Sequence, residues 1–158
     1  MIANAQNGPN TWSLFSGIGG MDLGFQQAGF NIQLANEVDS NQAATHKVNF
    51  PETTLLEDSI HLLSTDDLVD RFGLPDVIVG GFPCVTYSKA AAIGGKRHSD
   101  AKPKRNYSVY AEQGGDLFLH YRRFVADTQP QVFVVENVTD LVGCRIIMET
   151  LKNTPCPN

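Results

Sequence analysis

Short apolar, β-branched runs alternate with stretches of helical period along this chain, and that alternation constrains the fold more than any other feature. Thr11–Ser16 (TWSLFS) predicts a first strand. The following GIGGMDLGFQQAGF predicts a helix on Met21, Leu23, Phe25 and Ala28, with Gly29 at its end. Ile32–Val38 predicts a second strand, and the next helix is capped by Ser40 or Asn41 and stopped by Pro51. A short third strand falls near Thr53–Leu56, and STDDLVDRFG is a helix capped by Ser64. DVIVGG is apolar throughout, as in a strand covered on both faces. DLFLHYRRFVADTQ restores helical period before a fifth strand in QVFVVENV, and a last helix is expected from Thr139 to about Lys152. The pattern predicts an α/β fold with an open, mostly parallel sheet.

With 158 residues, 42% hydrophobic and 18% charged, the chain suits one globular domain, 1–158, with a real core. Cysteines occur only at 84, 144 and 156 and form no CxxC pair, so a disulfide framework is not expected and a reducing, cytoplasmic setting is the simplest reading. His46, His61, His98 and His120 are too dispersed to suggest a zinc site, so no metal is expected. No run reaches membrane-spanning length, and MIANAQNGPN lacks the pattern of a signal peptide. The net charge is −5, yet six of the twelve basic residues lie between Lys89 and Arg105 against a single acid, Asp100. Such a segment is either a solvated loop or a phosphate contact. Residues 89–115, rich in Gly, Lys, Ser and Pro, read as a long mobile basic loop of the kind that is often functional.

Ligands of open α/β sheets bind outside the carboxyl ends of the strands, and three such ends here carry unusual residues. After the first strand, FSGIGG (Phe15–Gly20) offers glycines that let a backbone approach a ligand and expose helix N-terminal N–H groups. After the second, Glu37 can accept hydrogen bonds from both hydroxyls of a ribose, and Asp58, after the third, could take the exocyclic amine of an adenine. These fit an adenosine-containing cofactor. NAD is a rival on the same logic, although the glycines run G-x-G-G rather than G-x-G-x-x-G. After the fourth strand, Cys84 follows Pro83 in GGFPC and precedes the basic segment, a setting that can favour a thiolate; alone, it would read as an ordinary buried cysteine. After the fifth, Glu136 follows four apolar residues, where desolvation would raise its pKa and suit it to proton donation; the plainer reading is a helix-capping carboxylate. Adjacent fourth and fifth strands would bring Cys84 and Glu136 to one cleft beside the glycine turn.

In this order and spacing, LFSGIGGMDLGFQQAGF, NEVDSNQAATHKVNFPE, GGFPC and ENV resemble the DNA cytosine-5 methyltransferases over about Thr11 to Leu151. The resemblance implies a Rossmann-like methyltransferase fold with strand order 3-2-1-4-5 and S-adenosylmethionine as cofactor. Phe15, Ser16, Gly17, Ile18, Gly19 and Gly20 would cradle it, Glu37 would hold its ribose and Asp58 its adenine, with Ser59 lining the pocket and Leu117 near the methionine end. The Cys84 thiolate would attack C6 of a cytosine flipped out of double-stranded DNA while Glu136 donates a hydrogen bond or proton to N3. Pro83, Asn137, Val138, Lys96 and Arg97 would lie on the DNA side.

Two departures stand out. The family usually has Gln after Pro-Cys, where this chain has Val85. The family's later Gln-x-Arg-x-Arg segment, its remaining strands and its target-recognition region are not found here, so the chain reads as the first half of such an enzyme. A fifth strand left as an apolar edge would invite pairing with a second polypeptide or a second copy. The competing readings are a non-catalytic remnant or regulatory protein that keeps the cofactor or DNA site, and a tRNA cytosine-5 methyltransferase.

Overall fold

In the computed structural model, residues 7–83 and 117–137 are described. They form a five-stranded, wholly parallel sheet in the order β3-β2-β1-β4-β5, as expected from the strand–helix alternation and the family resemblance. The elements are β1 (Asn10–Leu14), α1 (Gly20–Gln27), β2 (Asn31–Asn36), α2 (Ser40–Asn49), β3 (Thr54–Leu56), α3 (Thr65–Phe72), β4 (Val77–Gly80), α4 (Leu117–Thr128) and β5 (Val132–Val135). Cys84, Val85, Lys96, Arg97 and Val138 lie outside the described residues, as do the basic segment 89–115 and the helix expected over 139–152.

Each predicted element in the described residues is present, and β1 and β2 end two residues before the strands predicted for them. β1 stops at Leu14 because Phe15 turns to a φ of +57°, and β2 stops at Asn36, before Glu37. α2 corrects the predicted cap: Asp39, not Ser40 or Asn41, accepts the N–H groups of Asn41 and Gln42, both at 3.0 Å. An ionised carboxylate there also faces the positive end of the helix. Ser64 caps α3 as expected, accepting from the Asp67 N–H at 3.3 Å. Gly29, with φ +93°, follows the end of α1 as its sequence suggests.

Alternation along the strands divides the core. Trp12, Leu14, Leu34 and Ile78 point to one face and pack with Leu68 of α3 and with Phe118, Phe124 and Val125 of α4. Trp12 and Phe124 meet edge to face, with ring centroids 6.4 Å apart. Ser13, pointing to the other face, donates to Asp22 of α1, which also bonds His46 of α2. β4 is buried at all four positions, whereas β5 is the edge strand among the described residues, with Val132 half exposed.

The register fixes where chemistry can sit. Leu56, Asn36, Leu14, Gly80 and Val135 pair in one row across the five strands. The residues that follow them therefore leave the sheet along one rim. Gly80 keeps that row tight: a Cβ there would lie 2.7 Å from the Leu14 carbonyl oxygen and 2.9 Å from the Tyr121 ring. The buried Tyr121 hydroxyl reaches the carbonyls of Val134 (3.0 Å) and Ile78 (3.2 Å), bridging β5 and β4.

Burial pushes the Tyr121 hydroxyl pKa well above its ordinary value, because ionisation inside the core is unsolvated. In the unfolded chain the phenol ionises near pH ~10. Its raised folded pKa therefore leaves stability unaffected below that pH and lowers it above, by up to about 1.4 kcal/mol per pH unit. At pH 8, Tyr121→Phe is expected to cost about 1 kcal/mol from the lost hydrogen bond. In urea titrations from pH 8 to pH 11 the two proteins should converge; parallel losses in both would contradict this.

Candidate functional site

The turn after β1 is built from left-handed residues. Phe15, Gly17 and Gly19 have φ values of +57°, +58° and +91°. Gly19 is also required sterically, since a Cβ there would sit 2.1 Å from the Phe50 ring. Phe15 adopts a conformation that disfavours a bulky side chain, and its ring packs edge to face on Phe82 at 6.4 Å. The turn is tied to β2 by the Ser16 N–H donating to the Asn36 carbonyl at 3.0 Å.

Glu37 holds the same turn from its other side. Its Oε2 accepts the Gly17 N–H at 2.9 Å, and its Oε1 accepts the Asp39 N–H at 2.8 Å. The carboxylate is nearly buried yet lines the cleft, and each oxygen retains a lone pair for a ligand hydroxyl. Glu37 thus organises the glycine turn as well as facing the cleft, a structural role that its position in the sequence did not reveal.

Beneath the turn lies a polar network that periodicity alone does not show. Asp22, fully buried on α1, accepts the Ser13 hydroxyl through Oδ1 and the His46 Nε2–H through Oδ2, the latter at 2.7 Å. The sequence pattern rested α1 on the apolar Met21, Leu23, Phe25 and Ala28. Instead its fully buried residue is this acid, while Leu23 is 44% exposed. A buried carboxylate persists only where donors satisfy it, and here they come from β1 and α2.

A cleft opens beside this turn and has about 620 Å³ of space, part of it open to solvent. Of the residues expected from the sequence, Phe15, Gly17, Glu37, Ser59, Pro83 and Leu117 line it, together with Gly81. Asn36, Val38, Gln42 and Ile60 also line it and were not singled out from the sequence. Val38 and Gln42 could have been found from their places beside Glu37 and in the first turn of α2. Asn36 also acts structurally, because its Nδ2 donates to the Leu56 carbonyl (3.1 Å) and the Asp58 carbonyl (2.8 Å), fixing the chain after β3. Asp58 is exposed and does not line the cleft. Ile18, Gly19 and Gly20 also stay off its walls, since Ile18 is 55% exposed, Gly19 caps α1 and Gly20 begins it.

An adjoining recess of about 440 Å³ shares Phe15 and Gly81 with the cleft and adds Ser16, Met21 and Glu136. The ends of β4 and β5 are zipped together here. The Glu136 N–H donates to the Gly80 carbonyl at 3.0 Å, and Asn137 Nδ2 donates to the Phe82 carbonyl at 2.8 Å. Phe82 is buried against Phe118 and Tyr121, which anchors Pro83 and the chain leading to Cys84. Gly81 admits the Glu136 carboxylate, since a Cβ there would be 3.0 Å from Oε2. Glu136 itself is exposed, so the desolvation expected from its apolar run is not supplied by the described residues. A strand end projects its last side chain beyond the layers that cover the sheet.

Replacing Asp22 by Ala would strand the Ser13 hydroxyl and the His46 Nε2–H in a dry interior. A loss of about 2–5 kcal/mol in urea-induced unfolding is expected; a change below about 0.5 kcal/mol would contradict the network's role.

Known proteins share this sequence and geometry. The chain is 40% identical to the type II methyltransferase M.NgoPII of Neisseria gonorrhoeae over 133 residues, covering 84% of the chain and 34% of that protein. It is 38% identical to type II methyltransferase M.Bsp6I of Bacillus sp. (strain RFL6) over 148 residues, 89% of the chain and 41% of the relative. The chain thus spans between a third and a half of these relatives' length. Among solved structures, a protein described as a DNA modification methyltransferase encoded within an E. coli prophage matches with a TM-score of 0.71 and 27% identity, over 92% of this chain and 37% of that one. A Spodoptera frugiperda DNMT2 mutant shares the fold at a TM-score of 0.63 and 24% identity, over 92% of this chain and 41% of its own. A family model for C-5 cytosine-specific DNA methylases matches residues 10–154, from the first residue of β1 to beyond β5, and the chain belongs to that family.

Proposed function

We propose that this chain carries the cofactor cleft and the catalytic pair of an enzyme that methylates C5 of cytosine in double-stranded DNA. The observation that carries this reading is the common rim. The register sends the glycine turn, Glu37, the chain to Cys84 and Glu136 out of the sheet side by side. The family uses S-adenosylmethionine as methyl donor. The cleft suits that molecule chemically: a carboxylate with free lone pairs for ribose hydroxyls, apolar walls at Phe15, Val38 and Leu117, and a left-handed glycine turn that admits close approach. Phe15, Ser16, Gly17 and Glu37 would hold it, with Ser59 along the wall and Asp58 reaching the adenine amine. When bound, it supplies a methyl group on a positively charged sulfur.

Cytosine C5 is a weak nucleophile. The Cys84 thiolate adds to C6 while Glu136 holds a proton at N3, so the electron pair of the C5–C6 double bond becomes available at C5. C5 takes the methyl group, loses its proton to a base, and expels the thiolate to restore the ring. Pro83, Asn137 and Val138 would stand beside the base. Lys96, Arg97 and the basic segment 89–115 would contact phosphates, which position the duplex without reading sequence. The place of β5 as the outermost strand among the described residues supports a further proposal: strands from a second polypeptide, or from a second copy of the chain, pair there to complete an active enzyme.

The test uses DNA containing 5-fluorocytosine, whose C5 substituent cannot leave as a proton, with S-adenosylmethionine. The full chain is incubated alone and with the product of the neighbouring gene. A denaturation-resistant DNA adduct is expected that Cys84→Ser abolishes. Intact cofactor binding with no adduct in any combination would overturn the reading in favour of a cofactor-binding protein without catalysis. Glu136→Gln should leave cofactor affinity unchanged and slow adduct formation by about 10²-fold or more; equal rates would remove Glu136 from the chemistry.

A further inference from the structure

Arg123 sits in the middle of α4, six residues after the cleft residue Leu117, and its guanidinium does not serve as a surface charge. Nη1 donates to the Leu63 carbonyl at 2.9 Å and to Thr65 Oγ1 at 3.1 Å, and Nη2 donates to the Ile60 carbonyl at 3.0 Å. The group lies over the Phe124 ring at 4.7 Å. Ile60 and Leu63 belong to the segment between β3 and α3, Thr65 is the first residue of α3, and Ile60 lines the cleft next to Ser59. That segment has little regular structure of its own beyond the Leu62 N–H donating to the Ser59 carbonyl at 2.8 Å. It is held at its start by Asn36, through the Asp58 carbonyl, and at its end by Arg123.

A planar guanidinium can satisfy several carbonyls at fixed angles, which a lysine ammonium at the same place cannot reproduce. We propose that Arg123 is a positioning residue for recognition of the cofactor's base. By fixing Ile60, Leu63 and the first residue of α3, it sets where Asp58 and Ser59 stand relative to the Glu37 side of the cleft. The proposal rests on the reading of the cleft as an S-adenosylmethionine site. It also gives α4 two roles at once: Leu117 lines the cleft, and Arg123 fixes the segment that brings Ser59 and Ile60 to it.

The experiment compares affinities of the full chain for S-adenosylhomocysteine and for S-inosylhomocysteine, in which oxygen replaces the exocyclic amine. Wild type should prefer the amine form by about tenfold or more, the range of one hydrogen bond to a charged acceptor. Arg123→Gln should bring this ratio toward one, as should Asp58→Asn, while Arg123→Lys restores it only in part. Thr65→Val removes a single acceptor while keeping the shape of the buried side chain and should lower the ratio less. It keeps the test decisive if Arg123→Gln does not fold. Equal weakening for both ligands, with the ratio kept, would mean that Arg123 supports the fold alone and would overturn the proposal. An unchanged ratio in a folded Arg123 variant would do the same. A wild type that binds neither ligand would instead overturn the cofactor reading, and this one with it.

Discussion

The parallel register is the constraint on which the rest of the site depends. Because Leu56, Asn36, Leu14, Gly80 and Val135 stand in one row, the next residue of each strand is delivered to the same rim. A shift of a single residue would turn every side chain to the opposite face. Hydrophobic alternation fixes the register: Trp12, Leu14, Leu34 and Ile78 must all face α3 and α4, which leaves Ser13 facing Asp22. Packing on one face and a polar network on the other thus agree on a single alignment.

Above that row the backbone is held by polar clamps rather than by apolar burial. Glu37 gathers the N–H groups of Gly17 and Asp39, Asn36 ties the chain after β3, Asn137 ties the chain after β4, and Arg123 holds the segment before α3. Loops that carry function cannot be buried without losing access, so their geometry must come from hydrogen bonds to the elements beneath them. The aromatic cluster of Phe15, Phe82, Phe118 and Tyr121 adds an apolar anchor under two of these loops. Gly80 is small because Tyr121 approaches there, and Gly81 because Glu136 does. Both glycines of GGFPC therefore follow from neighbours that are distant in sequence.

Much of this was legible in the sequence, for definite reasons. Strand–helix alternation has a strong period signal, and unusual residues just past apolar runs mark strand ends. Phe15, Gly17, Glu37, Ser59, Pro83 and Leu117 do meet in one cleft. What the sequence hides is cooperative and long-range. The sequence pattern did not single out Asp22, and its burial depends on Ser13 and His46, nine and twenty-four positions away. Arg123 looks like one of two adjacent basic residues on an amphipathic helix, and only the fold brings Ile60 and Leu63 to it. Asp39 displaced the predicted caps of α2 because Asp, Ser and Asn in sequence all satisfy the same rule, and geometry chose among them. Glu136 was expected to be desolvated from the apolar run before it, whereas its exposure depends on what lies beyond the strand end.

The central claim is that the rim of this sheet, organised by Glu37 and the Phe15–Gly19 turn, is a cofactor site. The most direct measurement is a calorimetric titration of the folded full chain with S-adenosylmethionine. Saturable binding at one site is expected, together with its loss in Gly17→Val, where a branched side chain meets a φ of +58° beside Gln42. Absence of binding at millimolar cofactor by a demonstrably folded chain, or undiminished binding by Gly17→Val, would contradict it.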